Sequence, residues 1–187
     1  MADETVAREV TQAKLDQLAA ATLRHTPSQR YTVADRFEEK ARAHPSRPFI
    51  RYEGRTLDYA TVNAQANRVA HAMQASGLVT GHVAALLMEN RPEFIVTWLG
   101  FAKLGVTVAL INTQLRGEIL QHALATTQAQ ALIVGSELLP ALADIDLADT
   151  SCFVYQDPDG PPVPDAPARR LLNPILADLI ARGRRKE

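Results

Sequence analysis

Four short apolar runs, at residues 83–88, 106–111, 131–134 and 152–155, recur along the chain with helix-patterned segments between them. A strand that is apolar along its whole length has no face suited to water and is covered on both sides. Strands of this kind joined through helices are crossover units, and crossover units build a mostly parallel sheet with helices on both faces. The intervening segments carry the helical signals. Asp58 caps a long helix whose stripe runs Tyr59, Val62, Ala66, Val69, Met73 and ends at Gly77. Pro92 sits in the first turn of a second helix, through Leu104. That helix is apolar nearly all round (Phe94, Ile95, Val96, Trp98, Leu99, Phe101), which predicts deep burial with Trp98 in the central layer. A third spans 117–127 with Ile119, Leu120, Ala123 and Leu124 inward, and a short one spans 137–143.

Residues 94–111 form a near-continuous apolar stretch of 18 residues with one charge, Lys103. A membrane span needs about 20 apolar residues and is penalised by a central lysine. Gly105 interrupts the stretch, and β-branched residues follow it, so it reads as a buried helix capped by Gly105 and then a buried strand. Upstream, Thr32 caps a helix with Asp35 three residues on, Val33, Phe37 and Ala41 recur along it, and Pro45 stops it. Two short strands flank Glu53-Gly54 as a hairpin.

Three regions follow. Residues 1–30 are a helical extension, with Val6, Val10, Leu15 and Leu18 as a thin apolar stripe suited to docking on protein. Residues 31–156 are the α/β unit. Residues 157–187 are a linker and tail: five prolines fall within 157–167, helical apolar residues follow (Leu172, Ile175, Leu176, Leu179, Ile180), and the end is basic.

Composition removes several function classes. The chain of 187 residues is 47% hydrophobic, which suits a folded core rather than disorder. Its net charge of -1 lacks the positive field of a nucleic-acid binder, and 5% aromatics offers little stacking surface. Cys152 is the single cysteine and reads as a core strand residue. The five histidines (His25, His44, His71, His82, His122) are scattered, with no pair at metal-helix spacing, so no metal site is expected. The start is acidic and polar rather than a leader. A cytoplasmic protein with at most peripheral membrane contact is expected.

No catalytic constellation emerges. Gly100–Gly105 superficially resembles a phosphate loop, but its lysine lies inside the spacing, so it reads as a helix end. Asp144 and Asp146 read as surface charge. The loop Asn112-Thr113-Gln114-Leu115-Arg116 has better prospects, because it follows the strand at 106–111 at its carboxyl end, where open parallel sheets bind ligands. Asn112 and Thr113 can orient a ligand and Arg116 can reach an anion. The same residues also suit a polar turn that satisfies its own backbone.

Several segments in order are family-like: Arg55-Thr-Leu-Asp-Tyr59, then Asn63 and Ala66-Asn67-Arg68, then Gly77, Gly81 and Val83 to Met88, then Glu89-Asn90-Arg91-Pro92-Glu93-Phe94, and Trp98-Leu99-Gly100. Over residues 31–156 they resemble the N-terminal part of acyl-activating, adenylate-forming ligases. Leu110-Ile-Asn-Thr-Gln-Leu-Arg-Gly117 is similar to the fatty acid transport protein, or very-long-chain acyl-CoA synthetase, branch, with Leu110 and Thr113 where many relatives carry prolines. One local departure is His82, where relatives often carry Asp. The resemblance implies that the complete enzyme uses ATP and Mg²⁺ to convert a fatty acid to its acyl-adenylate, then passes the acyl group to coenzyme A. It also implies a Thr/Ser/Gly-rich phosphate loop, an adenine-binding aromatic/Glu motif, a ribose-binding Asp and a catalytic Lys. None of these is found in this chain, so no catalytic residue is carried over, and none of the cofactors is expected to bind the chain alone. Only Asn112, Thr113 and Arg116 are expected near the acyl or pantetheine cleft. The expected function is therefore the N-terminal portion of a fatty acyl-CoA synthetase, truncated and inactive alone, whose partner is the missing remainder of the ligase. Alternatives are a stand-alone interaction or regulatory module with the same fold, and a generic nucleotide-binding α/β domain. The second is disfavoured because no glycine-rich turn follows a strand.

Overall fold

A computed structural model describes residues 2–22, 30–147, 149–156 and 169–171. Two units are distinguished, one up to Tyr31 and one from Thr32 onward. The first holds a single helix, α1 (Ala2–Thr22), on which Val10, Leu15 and Leu18 are exposed.

The second unit begins with α2 (Val33–Ala43), whose start is fixed by reciprocal capping. The Asp35 backbone N–H donates to Thr32 Oγ1 at 3.3 Å, and the Thr32 N–H donates to the Asp35 carboxylate at 2.7 Å. The hydrogen bonds the Asp35 carboxylate accepts, from the Thr32 backbone N–H foremost and then from the Thr32 hydroxyl at 2.8 Å, hold it below its ordinary pKa. The hairpin of β1 (Pro48–Tyr52) and β2 (Arg55–Asp58) turns through Glu53 and Gly54, both at positive φ, as a two-residue hairpin requires. Asp58 then caps α3 (Tyr59–Ala75), its Oδ1 accepting from the Thr61 N–H at 2.8 Å.

The remaining chain alternates as the apolar runs predict: β3 (Val83–Leu87), α4 (Pro92–Leu104), β4 (Thr107–Leu110), α5 (Gly117–Thr127), β5 (Ala131–Gly135), a 3-10 helix (Ser136–Leu142), β6 (Ser151–Tyr155) and β7 (Arg169–Leu171). The strands form one sheet in the order β4-β3-β5-β6-β7, parallel at every pairing. Alternate side chains of β3, β5 and β6 feed two cores. Ala84, Leu86, Ile133 and Phe153 meet Val62, Val69, Leu99 and Phe101 of α3 and α4. Ala85, Leu87, Leu132 and Val154 meet Leu120 of α5 and Leu138 and Leu142 of the 3-10 helix. The α/β fold with helices on both faces is therefore present, and Cys152 is buried in the second core.

Gly105 divides the long apolar stretch. Its φ of 72° ends α4 in the left-handed conformation, and β4 starts two residues later. Lys103, the one charge in that stretch, pairs with Glu38 of α2. Among the described residues no helix is long and apolar enough to cross a membrane.

Gly100 sets the contact between α3 and α4. A Cβ there would lie 2.7 Å from Val69 Cβ and 2.9 Å from the Ala66 carbonyl oxygen, both on α3. Small residues face α3 on this side of α4, with Thr97 and Gly100 both buried. Trp98, roughly 200° around the helix from Gly100, is displaced to the perimeter. It is half-buried against the core rather than central to it. Ile119 also departs from expectation. The inward stripe of α5 passes through Leu120 and Leu124, so Ile119 is turned outward and is 67% exposed. The expected short helix at 137–143 is 3-10 in form, with Pro140 inside it removing an amide donor. Within the stretch read as linker and tail, Arg169–Leu171 pairs with β6. The proline-rich residues 157–167, the helical residues from Leu172 onward and the basic end lie outside the described residues.

The close approach at Gly100 predicts that Gly100→Ala lowers unfolding free energy by about 1–3 kcal/mol, the usual cost of overpacking. Urea denaturation measures it, and an unchanged midpoint would show that α3 and α4 do not meet as described.

Candidate functional site

A parallel sheet delivers the loops that follow its strands to one edge, and ligands of open α/β sheets bind there. Here that edge carries residues 88–91 after β3, 111–116 after β4, the start of the 3-10 helix after β5, and Tyr155 at the end of β6.

The loop after β4 brings Asn112, Thr113 and Arg116 together. Its polar groups are engaged with its own backbone. Asn112 Oδ1 accepts from the Gln114 N–H at 2.9 Å, and the Asn112 carbonyl accepts from the Leu115 N–H at 3.2 Å. Arg116 Nη1 donates to the carbonyls of Thr113 at 2.6 Å and Leu115 at 2.7 Å. The guanidinium is thus folded back onto the loop, at the start of α5, where the residue remains exposed.

A second cluster at the same edge has no site signal in the sequence. Arg91, with a side chain only 8% exposed, lies 3.2 Å from Glu137 Oε2 through Nη2. The same nitrogen donates to the Tyr155 carbonyl at 3.3 Å, and the guanidinium stands 5.8 Å from the Tyr155 ring centre. Glu93 approaches Arg91 from the first turn of α4, at 3.9 Å. Glu137 Oε1 accepts from the Glu89 N–H at 3.0 Å. One carboxylate therefore ties the loop after β3 to the end of β5, while Arg91 reaches on to β6. Gly135 makes room for it, since a Cβ there would collide with the Glu137 carboxylate. Burial foremost, with the Glu93 charge, pushes the Tyr155 hydroxyl above its ordinary pKa, opposed by Arg91 and Arg68. Arg91 belongs to the family-like segment Glu89–Phe94, and Gly135-Ser136-Glu137 follows a strand. Only the fold shows that the two meet.

Beside Arg91 an open, mostly apolar recess of about 260 Å³ is lined by Ile50, Tyr52, Asn90, Pro92, Phe94 and Ile95. A larger recess, about 450 Å³, lies at the opposite edge, around Gln128, Gln130 and Thr150, where the strands begin. It is remote from the carboxyl-end loops and presents no acid–base pair, so the carboxyl edge remains the candidate site.

The described residues do not fit a nucleotide triphosphate. The Gly100–Gly105 segment is the end of α4, and its lysine is paired with Glu38. The space over Gly135 that backbone donors could offer to a phosphate holds the Glu137 carboxylate, a group of the same sign. Among the described residues no group of three or more His, Cys, Asp or Glu is placed to hold a metal ion.

Glu137→Ala removes the partner of a buried guanidinium and is expected to cost about 1–2 kcal/mol, reduced from the fully buried case because the carboxylate is partly exposed. Gly135→Ala displaces the same carboxylate. A double-mutant cycle by urea denaturation is therefore expected to show Gly135→Ala costing less in the Glu137→Ala background. Additive costs would mean that Gly135 does not serve the Glu137 contact.

The family model described as "AMP-binding enzyme" matches residues 37–171. Long-chain fatty acid transport protein 6 of Mus musculus is 43% identical over 115 residues, covering 61% of this chain and 19% of that protein. Medium/long-chain-fatty-acid–CoA ligase FadD6 of Mycobacterium tuberculosis is 30% identical over 118 residues, covering 63% and 20%. The chain thus spans about one fifth of the length of these curated relatives. Among solved structures, the anthranilate CoA ligase AuaEII in complex with anthranoyl-AMP superposes with a TM-score of 0.70 at 23% identity, over 79% of this chain and 28% of that one, so the two share a fold. The matched segment contains the whole crossover sheet described above, and the chain belongs to the AMP-binding enzyme family, where its relatives include the long-chain fatty acid transport proteins.

Proposed function

We propose that this chain is the N-terminal portion of a long- or very-long-chain fatty acyl-CoA synthetase. The observation that carries the proposal is the 43% identity to a long-chain fatty acid transport protein across 115 residues. The complete enzyme would join a fatty acid to AMP at the expense of ATP, with Mg²⁺, and then transfer the acyl group to the coenzyme A thiol. This chain would contribute one wall of the cleft through the carboxyl edge of its sheet, and the rest of a ligase would be its partner. Asn112, Thr113 and Arg116 are proposed to face acyl or pantetheine groups. For Arg116 to meet a ligand it would exchange its hydrogen bonds to the Thr113 and Leu115 carbonyls. We place the protein in the cytoplasm, where its lone cysteine stays reduced.

The chain alone is proposed to be inactive. Adenylation needs the triphosphate positioned and its developing charge stabilised by backbone donors, cationic side chains and Mg²⁺. The carboxyl edge offers a buried arginine already committed to Glu137 and Tyr155, and an arginine bound to its own loop. ATP–pyrophosphate exchange with long-chain fatty acids tests this. The purified chain is expected to give none, and exchange is expected when a polypeptide bearing the phosphate loop and C-terminal lysine of a ligase is supplied. Exchange by the chain alone, abolished by substitutions in it, would contradict the proposal. A well-folded chain giving none in either case would favour an interaction module with the same fold.

A further inference from the structure

Helix α4 is apolar on more sides than its place in this chain uses. Its buried side is centred on Gly100, against α3. On the opposite side Phe94, Ile95, Trp98 and Ala102 fall within about 100° of one another. All four are half-buried rather than covered. No charged or polar residue of the helix lies among them. The two charges of α4 are engaged elsewhere: Glu93 approaches Arg91 and Arg55, and Lys103 pairs with Glu38 of α2. A helix packed on the outside of a sheet gives its outer face to polar residues, whereas a helix that is apolar all round is covered all round.

The apolar recess beside Arg91 continues this face. Phe94 and Ile95 belong to both, and Ile50 and Tyr52 of β1 complete the recess. The recess begins at Asn90, in the loop after β3, so the apolar surface starts at the carboxyl edge and runs along α4. Trp98 is its largest group. The ring packs against the core, which fixes its orientation, and its indole N–H has no hydrogen-bond partner among the described residues. A pre-oriented tryptophan among apolar, uncharged neighbours is the composition of an interface core.

The chain matches about one fifth of the length of its curated relatives, so most of a complete ligase lies outside the match. The surface also adjoins the carboxyl edge, where the remainder of a ligase would complete the cleft. A second copy meeting this face across a two-fold axis at Trp98 would set donor against donor. We propose that the face of α4 carrying Ile95, Trp98 and Ala102, with the recess beside it, seats an apolar segment of the remainder of the ligase, anchored by Trp98. The inference rests on the ligase reading and assigns the surface through which that partner is held.

Trp98 is the sole tryptophan of the chain and serves as the reporter. In the full chain alone, acrylamide is expected to quench its fluorescence. The chain is then co-expressed with the portion of mouse long-chain fatty acid transport protein 6 that follows the matched stretch, its tryptophans replaced by phenylalanine. A complex is expected to co-purify, with Trp98 emission shifted to shorter wavelength and quenching reduced. Ala102→Glu keeps the reporter and places a charge on the face. It is expected to raise the Kd of the complex about 30-fold while leaving the thermal midpoint of the chain unchanged. Trp98→Ala, read by co-purification, is a second variant with the same expected loss. Val79→Glu, at an exposed apolar residue in the turn before β3, is the control and is expected to leave the complex intact.

Trp98 shielded in the chain alone would assign the face to the chain's own residues, and self-association lost with Ala102→Glu would assign it to a second copy. Either result overturns the proposal. So does the absence of a complex with the unsubstituted chain, or a complex that both variants leave equally tight. ATP–pyrophosphate exchange read in parallel separates the two readings. Exchange by a complex that tolerates both variants overturns this inference alone, whereas a complex that both variants break and that gives no exchange keeps the surface and overturns the catalytic reading.

Discussion

Everything in the α/β unit depends on covering β3 and β5 from both sides. From Ala84 to Leu87 and from Ala131 to Val134 these strands are fully buried, so neither face tolerates water. Parallel pairing demands crossover connections, and the crossovers supply the covering helices. Of these contacts, that between α3 and α4 is the most extensive and the tightest, because Gly100 presents no side chain to Ala66 and Val69. The hairpin is secured secondarily, through Phe37, Phe49 and Tyr59.

The same arrangement explains why the carboxyl edge gathers the chain's candidate site residues. Loops after parallel strands necessarily gather there, and in this chain Arg91, Glu137 and Arg116 are each engaged by neighbours at that edge. Glu137 joins Arg91 and the Glu89 amide, Arg91 reaches Tyr155, and Arg116 closes its own turn. Such groups give a defined wall. Among the described residues at this edge the arginines are already engaged with neighbours, which supports the proposal that the chain alone does not stabilise a departing pyrophosphate. A wall of this kind fits a chain that covers about one fifth of its relatives' length.

Much of the fold was legible in the sequence because the relevant signals are local. The reciprocal cap at Thr32 and Asp35, the Glu53-Gly54 turn, the Asp58 cap and the glycine at 105 each act within a few residues, and each recurs in the structure. What escaped local reading depends on a partner distant in sequence. Trp98 lies at the perimeter because α3 claims the Gly100 side of α4, and α3 lies some thirty residues upstream. Ile119 and Leu120 are equivalent by composition, and only the position of the sheet decides which is buried. Three residues, Arg-Arg-Leu, have no strand pattern of their own, so β7 is defined by the edge of β6. At the site, the chain position of the Asn112–Arg116 loop was readable but the aim of its side chains was not. The union of Arg91 with Glu137 joins residues in separate crossover units.

Native-state hydrogen exchange of the isolated chain measures most directly whether this sheet is a self-sufficient folding unit. The backbone amides of β3 and β5 are expected to exchange slowest, through global unfolding, ahead of those of edge strand β4. Amides of β3 and β5 that exchange as fast as those of the loops would show that the parallel sheet does not hold without the rest of a ligase, and would contradict the account.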